Sequence, residues 1–291
     1  MSLLTVFTPT YNRAQYLTTC YQSLVAQTNK NFVWQVVDDG SDDGTDVLIE
    51  SFIREGKIAI DYRRKPNGGK ASAINLSLDI TSTPLWVCLD SDDYFFPDAV
   101  EKICAACEGI FDEPKTCGAF CVRSDKSGAP MKGVDVPDGV RYATQFDIRY
   151  RYKTPTEYVQ VYKTEVIKEF RFPVFEGEKF VTESWLQDQL DCYFTFKIFR
   201  EPIMVCEYLP TGLTKNYYRL IKNNPLGFLM FYGQRVELCR LWKPRIIAAI
   251  MYNATYYSMN WKERPKKKRH WLIFLTFPLG RIVKKIKLGN V

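Results

Sequence analysis

The sequence predicts an α/β fold in which a mostly parallel central sheet is flanked by helices, with a helical, basic extension at the C-terminus. Two observations carry this prediction. Strand-like and helix-like segments alternate over the first 125 residues, and clusters of polar residues follow several of the predicted strands. Strands that alternate with helices of about ten residues build βαβ units with parallel strands. The 291 residues are enough for one large α/β domain or two small ones.

The individual elements follow from the spacing of apolar residues, which is two in a half-buried strand and three or four in a helix. Over the N-terminal half we predict strands at 3–8 (stopped by Pro9), 32–37, 58–62, 85–89 and 118–122, and helices at 14–26, 47–53, 70–78 and 98–107. Further on we predict strands at 157–162 and 198–208, and helices at 226–241 and 245–257.

Composition excludes several classes of protein. With 46% hydrophobic and 25% charged residues and 16 glycines, the chain is neither disordered nor collagen-like. The nine cysteines fall mainly in apolar runs, which indicates free thiols in a reducing compartment. The spacing of Cys104, Cys107, Cys117 and Cys121 could suit zinc, but one pair lies in a predicted helix and the other along a strand, so we expect no zinc site. No signal peptide or run of about 18 apolar residues is visible, which predicts a cytoplasmic protein.

The positive charge is concentrated at 262–291, where ten Lys and Arg residues face a single acid, Glu263, while the whole chain carries a net charge of +7. Apolar and aromatic sequence, including Trp271–Leu279, is interleaved with these charges. A basic segment with aromatic residues on its apolar side is typical of a helix that lies on an anionic membrane surface. A helix packed on the main domain or solvated, and a nucleic-acid-binding segment, are the alternatives, although no nucleic-acid recognition motif accompanies the charge.

Polar loops follow the predicted strands and should meet at one edge of the sheet, where open α/β sheets bind ligands. Asp90–Asp93 places three carboxylates directly after a buried strand, and these would repel one another unless a hard cation such as Mn²⁺ or Mg²⁺ neutralised them. Asn67–Lys70 puts two glycines and a cation at a helix start, which suits a phosphate group. Asp38–Ser41 places two carboxylates at a turn, a composition that turns also favour without any function.

Together with a fourth motif, Phe7–Arg13, these three motifs resemble the family-2 glycosyltransferases of the GT-A fold, over the stretches Val36–Thr45, Asn67–Lys70 and Leu89–Tyr94. Their order and spacing match over about the first 125 residues. The resemblance implies an inverting transfer of a sugar from a nucleotide-sugar donor, with a UDP-sugar expected, to a hydroxyl group. It also implies Mn²⁺ or Mg²⁺ at the D-x-D motif.

By the same resemblance, Pro9, Tyr11, Arg13 and Asp39 hold the base and ribose. Asp92 binds the metal on the diphosphate, and Asp90 touches the ribose or a metal-bound water. The remaining motif residues expected at the nucleotide-sugar site are Thr8, Asn67, Gly68, Gly69, Lys70 and Ser91.

The general base in such enzymes stands at the head of a helix after the second half of the sheet. Glu183 is our prediction for this base, because 177–188 resembles that stretch, and Asp188 is the reserve. Ser184 stands where many relatives have Asp. The alternative is that Thr182 and Glu183 only cap a helix that begins there.

The resemblance implies a glycosyltransferase domain at 1–215, with a nucleotide-sugar-binding half at 1–125 and an acceptor half at 126–215. A helical region follows at 216–291, whose segment 262–291 we expect on the membrane. The loop at 208–214 resembles one that closes over the site in relatives. The acceptor is expected to be lipid-linked or a saccharide, in bacterial surface polysaccharide synthesis at the inner face of the membrane.

Two other functions stay open. A sugar nucleotidyltransferase of related fold usually has an N-terminal glycine-rich loop with Arg, and this chain has Thr8–Arg13 in that place. A non-catalytic nucleotide-sugar-binding protein would keep the fold and lose the chemistry. A processive polysaccharide synthase is not expected, since the chain has neither a Q-x-x-R-W motif nor a set of apolar spans.

Overall fold

The structure, a computed structural model, describes residues 2–129, 136–154, 157–206 and 217–289. The chain forms two compact units, of which unit 1 comprises 1–171 and 193–207, and unit 2 comprises 172–192 and 208–291. The boundary predicted at 215 and the loop predicted at 208–214 lie outside the described residues.

Over the residues that the structure describes, unit 1 is built on a single sheet of nine strands. They are β1 (Leu4–Thr10), β2 (Phe32–Asp38), β3 (Ile60–Arg64), β4 (Leu85–Cys88), β5 (Tyr94–Phe95), β6 (Thr116–Ser124), β7 (Tyr142–Ala143), β8 (Tyr158–Lys163) and β9 (Thr195–Val205). Their order is β3-β2-β1-β4-β8-β6-β9-β5, and β7 pairs with β9. The strands β3, β2, β1 and β4 are mutually parallel, while β8 is antiparallel to both of its neighbours. The mostly parallel sheet predicted from the sequence is therefore confirmed.

The helices of unit 1 connect these strands. They are α1 (Ala14–Val25), α2 (Thr45–Glu55), α3 (Lys70–Ile80), α4 (Ala99–Ala106) and the one-turn α5 (Thr164–Ile167). The core lies between β1, β2 and β4 and the apolar faces of α1 and α4, with Leu4, Val36 and Leu17 fully buried. Each fully buried aliphatic side chain of this kind contributes about 1.5–3 kcal/mol to folding, which fixes the strand ends on which the site depends.

We predicted that Pro9 ends β1, and this prediction is wrong. The strand continues to Thr10, with Pro9 opposite Val37 in the parallel register. Proline is tolerated here because the carbonyl of Phe7 faces the β4 side, where it accepts from the N–H of Leu89. Backbone groups two residues apart point the same way, and β4 ends at Cys88, opposite Phe7. No residue of β4 therefore needs a hydrogen bond from the N–H that Pro9 lacks.

Unit 2 is helical over the described residues. Its helices are α6 (Ser184–Leu190), α7 (Tyr217–Asn223), α8 (Pro225–Leu238), α9 (Trp242–Ser258), α10 (Trp271–Leu275) and α11 (Phe277–Val283), followed by a π-helical turn (Lys284–Leu288). Asn253 on α9 holds the last helices in place by donating to the carbonyl of Ile273 at 2.7 Å and to Thr276 Oγ1 at 3.1 Å. Among the described residues, no helix combines the length and the apolar character needed to span a membrane.

Candidate active site

The candidate site lies at the carboxyl edge of the parallel strands in unit 1. Thr10 at the end of β1 is in register with Asp38 at the end of β2. On the other side of β1, Phe7 is opposite Cys88, the last residue of β4. The loops that follow these three strands, which carry Tyr11, Asp39 and Asp90, therefore emerge at the same edge of the sheet.

The first two of these loops are fastened to each other by hydrogen bonds. The backbone N–H of Asn12 donates to Ser41 Oγ at 2.9 Å, and Asn12 Oδ1 accepts from the N–H of Asp42 at 2.9 Å. Asn12 can do both because it adopts a left-handed backbone with φ 52°, a conformation that Asn tolerates better than most residues. Asp43 accepts from the N–H of Ala14 at 2.9 Å, at the start of α1. The loop after β1 is thus held in a defined place.

Asp38 fixes the loop after β2 through hydrogen bonds made inside the protein. It is fully buried, and its carboxylate accepts from the N–H of Ser41 at 2.8 Å and from the hydroxyl of Tyr62 at 2.9 Å. Burial, followed by the hydrogen bond to this carboxylate, raises the pKa of Tyr62 well above its ordinary value. The first aspartate of the Asp38–Ser41 motif is therefore structural, in line with the turn interpretation.

Asp39 fixes the glycine loop that precedes α3. One carboxylate oxygen accepts from the N–H of Gly68 at 2.9 Å and from the Lys65 ammonium at 2.5 Å, and the other accepts from the N–H of Gly69 at 2.7 Å. Gly69 has φ +85°, in the region that favours glycine, and a Cβ on Gly68 would meet Ser72 Oγ at 2.8 Å. The carboxylate predicted to contact the nucleotide therefore also shapes the loop predicted to hold phosphate.

Asp90 and Asp92 each lie beside a cation. Lys70 Nζ is 2.6 Å from Asp90 Oδ1, and Arg13 Nη1 is 3.4 Å from Asp92 Oδ2. Burial tends to raise the pKa of Asp90, but the charges of Lys70 and Arg123 hold that pKa below its ordinary value. The structure thus brings together Arg13, Lys70, Asp90 and Asp92. These residues belong to the predicted motifs and lie up to 79 positions apart in the sequence.

Asp93 differs from its two neighbours. It is only 8% exposed, and burial, followed by the charge of Asp90, raises the pKa of Asp93 to about 7, although Arg123 opposes this. Asp93 is therefore less accessible to a ligand than its neighbours. Of the three carboxylates in the motif, Asp90 and Asp92 are the more exposed and the better placed to bind a cation.

The donor set fits a divalent cation that also takes ligands from a substrate. Asp90 and Asp92 offer hard carboxylate oxygens and are about a third exposed, so that a ligand can reach them. Within the described ranges, however, no three His, Cys, Asp or Glu side chains converge as a metal cage. Mg²⁺ is commonly held by one or two carboxylates together with substrate phosphates, and that arrangement matches what this edge provides.

The remaining predicted residues occupy different environments. Tyr11 is 47% exposed, as a base-stacking residue requires, while Ser91 is buried. Asn67 Oδ1 is buried and accepts no hydrogen bond within the part of the chain described here. Thr8 is fully buried, and its hydroxyl accepts from the indole N–H of Trp34 at 2.9 Å, so its side chain packs behind the site. The predicted donor contacts of these residues stay predictions.

The predicted base belongs to unit 2. Glu183 is exposed and occupies the N-cap position of α6, where it makes no side-chain capping hydrogen bond. Thr182 Oγ1 accepts from the N–H of Ser184 at a long 3.4 Å. The helix start predicted at these residues is confirmed, whereas Glu183 does not serve as a side-chain cap.

The reserve base, Asp188, is engaged elsewhere in unit 2. Arg235 donates to both of its oxygens, from Nε at 2.8 Å and from Nη2 at 2.7 Å, and the two side chains are only 10% and 13% exposed. A carboxylate that is nearly buried and accepts a bidentate guanidinium is poorly accessible to a substrate. Glu183 therefore stays our prediction for the base.

Sequence reasoning missed two residues of the unit 1 site. Lys65 contacts Asp39, the carbonyl of Pro66 and Ser72 Oγ, within 2.8 Å in each case. Its position directly before the Pro66–Gly69 loop was the available signal. Arg123, near the end of β6, acts on Asp90 and Asp93 through its charge. No local sequence pattern indicates this role, because only the fold brings β6 to this edge.

Comparison with known proteins identifies the family. The family model described as glycosyl transferase family 2 matches residues 5–170, more than half of the chain. The chondroitin synthase of Pasteurella multocida (strain Pm70) is 37% identical over 100 residues, which are 34% of this chain and 10% of that protein. The chain therefore spans only a small part of the length of this relative.

Solved structures show the same fold. Staphylococcus aureus TarS 1-349 in complex with UDP-GlcNAc superimposes with a TM-score of 0.59 at 18% identity, over 98% of this chain and 91% of that one. The mannosyltransferase PcManGT of Pyrobaculum calidifontis, in complex with GDP-Man and Mn²⁺, gives a TM-score of 0.57 at 15% identity, over 99% and 76% of the two chains. The GT-A fold implied by the four motifs is confirmed, and the chain belongs to glycosyl transferase family 2.

Proposed function

We propose that the chain is a metal-dependent, inverting glycosyltransferase that moves a sugar from a nucleotide-sugar donor, a UDP-sugar by our expectation, to a hydroxyl group. The observation that carries the proposal is the arrangement at the sheet edge of unit 1. There Asp39 holds the glycine loop, and Asp90 and Asp92 lie beside Lys70 and Arg13.

Charge exchange explains how this edge receives a nucleoside diphosphate. The Arg13–Asp92 and Lys70–Asp90 pairs are partly exposed, and pairs of that kind contribute only about 0–1 kcal/mol each. Lys70 and Arg13 can therefore turn from the carboxylates to phosphate oxygens at little cost. Asp90 and Asp92 would then hold a divalent cation, which would supply Lewis-acid stabilisation of the departing diphosphate.

The glycine loop contributes backbone donors. Because Asp39 and Lys65 fix the loop before α3, the first N–H groups of that helix stay at the strand edge, where a helix N-terminus favours anions. Tyr11 lies in the loop after β1 and is 47% exposed. We propose that its ring packs on the base of the nucleotide.

Glu183 is proposed to accept the acceptor's proton. As the acceptor oxygen forms its bond to the anomeric carbon, the hydroxyl proton passes to the Glu183 carboxylate, and the bond from that carbon to the phosphate oxygen breaks on the opposite face. The product is an inverted glycoside and a free nucleoside diphosphate. A carboxylate suits this role when it is ionised and within hydrogen-bond reach of the hydroxyl.

The choice of donor and acceptor rests on the similar proteins. The solved structures that share the fold contain UDP-GlcNAc in one case, and GDP-Man with Mn²⁺ in another. The name of the chondroitin synthase supports a saccharide as acceptor. We propose a saccharide or lipid-linked acceptor on the cytoplasmic side of a bacterial membrane, in surface polysaccharide synthesis.

A donor screen tests the proposal. The full chain is incubated with a panel of UDP- and GDP-sugars and Mn²⁺, and release of nucleoside diphosphate is followed with and without a chelator. We expect release from at least one donor, its loss on chelation, and a fall of about 10³-fold in the Asp92→Asn variant.

The matched control is Asp61→Asn, a carboxylate on β3 that pairs with Arg63 and has no proposed role. Release of pyrophosphate from UTP and a sugar 1-phosphate would favour the nucleotidyltransferase instead. If no donor on the panel were turned over while UDP still bound, the non-catalytic binding protein would be the better account.

A further inference from the structure

The C-terminal segment of unit 2 (262–291) presents an apolar surface that nothing in the chain covers, within the described residues. Six large apolar residues of this segment are exposed on α10, α11 and the π-helical turn, and all but the adjacent Phe274 and Leu275 follow one another at intervals of three or four positions, the spacing of a helix face. They form the apolar stripe: Trp271, Phe274, Leu275, Leu279, Ile282 and Ile286. Phe274 is 79% exposed and Ile286 is 69% exposed.

A different face of the same helices packs against α9. Leu272, Ile273 and Leu288 are buried there, and a Cβ on Gly280 would meet the Cβ of Asn253 at 2.3 Å. The segment is therefore held closely on α9 by one face and has the apolar stripe left over. A helix that only needed to pack on the domain would carry polar residues on its outer face.

The stripe continues onto α9. Trp242, at the start of that helix, is 59% exposed, and its ring lies edge-on to that of Trp271 at a centroid distance of 5.9 Å. Ile246, one turn further along α9, is exposed as well. Exposed apolar residues that are contiguous in this way mark an interaction surface.

Basic side chains border the stripe. Lys266, Arg269, Arg281, Lys285 and Lys287 are exposed. Only Glu263 offers an opposite charge within 262–291, although Lys268 reaches Glu237 on α8 at 2.8 Å. A second copy of the chain would bring the same positive charge to this face, whereas an anionic lipid surface would neutralise it.

We propose that the apolar stripe, extended by Trp242 and Ile246, is a docking surface for an anionic lipid bilayer. The aromatic and aliphatic side chains enter the boundary between headgroups and acyl chains, and the bordering Lys and Arg residues contact anionic headgroups. The surface includes residues of α9 that lie outside the basic segment. The proposal does not depend on the glycosyl-transfer chemistry.

Vesicle sedimentation tests the surface. The full chain is mixed with phosphatidylcholine vesicles prepared with and without phosphatidylglycerol. We expect the wild type to bind the anionic vesicles. The apolar variant Phe274→Ser/Leu279→Ser/Ile282→Ser should lose at least about tenfold in partitioning. The charge variant Lys266→Gln/Arg269→Gln/Lys285→Gln should lose about a hundredfold, on the anionic vesicles only.

The control replaces exposed apolar residues elsewhere, Val47→Ser/Ile53→Ser/Val174→Ser, and should bind like the wild type. Circular dichroism and melting confirm that each variant is folded. A second measurement uses brominated lipids, which should quench the tryptophan fluorescence of the wild type, and less so in Trp271→Phe.

Three results would overturn the proposal. The wild type could stay in the supernatant with anionic vesicles, or the apolar variant could bind as well as its control. The third is a dimer in solution that the apolar variant dissociates while vesicles bind neither protein, which would assign the stripe to a second copy of the chain.

Discussion

The sheet edge of unit 1 and the C-terminal segment of unit 2 both collect charge, but they neutralise it differently. At the sheet edge, Asp39, Asp90 and Asp92 each lie beside a cation of the same unit. In the C-terminal segment, ten basic residues face a single glutamate. The edge can therefore exchange its partners when an anionic ligand and a metal bind, while the segment, beyond the Lys268–Glu237 pair, carries an excess of positive charge that an anionic surface would neutralise.

Two carboxylates of unit 2, Glu183 at the start of α6 and Asp188 within that helix, differ in accessibility. Asp188 is nearly buried and accepts the bidentate Arg235, whereas Glu183 is exposed. We therefore expect Asp188 to stabilise the fold and propose that Glu183 acts on a ligand.

The largest effect is expected for Glu183→Gln. Removing the base should lower transfer by about 10²–10⁴-fold with donor affinity unchanged, because Glu183 acts on the acceptor. Acceptor-dependent transfer and UDP-sugar binding are measured side by side. Glu176→Gln, an exposed carboxylate of the same unit, is the control, and transfer near the wild-type rate in Glu183→Gln would reject our assignment.

Asp188→Asn should act on stability. Breaking a buried pair by removing one partner typically costs about 3–5 kcal/mol, so the melting temperature should fall clearly while donor affinity at low temperature persists. Thermal unfolding of Asp188→Asn is compared with that of Asp191→Asn, its neighbour after α6. A loss of transfer without loss of stability would instead make Asp188 the base.

Lys65→Met is expected to loosen the glycine loop. Lys65 joins Asp39, Pro66 and Ser72, and a hydrogen bond to a charged group contributes about 1.5–3 kcal/mol. The KM for the donor should rise by roughly tenfold or more, with kcat much less affected. Lys57→Met, on an exposed lysine that pairs with Glu55, is the control, and an unchanged donor KM would show that Asp39 holds the loop without help.

The smallest effect concerns pH and the C-terminal segment. His270 Nδ1 accepts from the N–H of Leu272 at 3.1 Å, capping α10. Burial, followed by the charge of Arg245, lowers the pKa of His270 below its ordinary value.

Because the folded state disfavours the protonated ring, this stability is complete above the unfolded pKa of about 6.5 and is lost as the pH falls below that value towards the lower folded pKa. The melting temperature of the wild type should therefore fall between pH 7.5 and 5.5 by more than that of His270→Asn, which keeps a cap that does not titrate. Parallel curves for the two proteins would contradict the capping role.

Much of the fold followed from the sequence because β1 to β4 and their helices are regular and local. The apolar spacing located each of them within a few residues. The two-residue strands β5 and β7 were missed, since they exist only through their pairing with β9. Pro9 was misread because whether a strand needs a given N–H depends on where its neighbour ends, which the local sequence does not contain.

The site divides in the same way. Asp90, Asp92 and the glycine loop could be predicted because each is a short motif with its own chemistry. The bidentate hold of Arg235 on Asp188 joins positions 47 residues apart, and the charge of Arg123 reaches the site from β6. Neither interaction can be recognised from the neighbouring sequence. The sequence therefore indicated Asp188 as the reserve base but not its ion pair with Arg235.

Manganese binding monitored by electron paramagnetic resonance shows whether Asp90 and Asp92 hold a metal, since free Mn²⁺ gives a signal that bound Mn²⁺ loses. We propose that these two carboxylates complete a metal site only together with the phosphates of a nucleotide. Manganese should therefore bind at least about tenfold more tightly with UDP than without, and this binding should be lost in Asp92→Asn and kept in Asp61→Asn. Manganese that failed to bind with UDP, or bound equally well to Asp92→Asn, would show that the two carboxylates do not form this site.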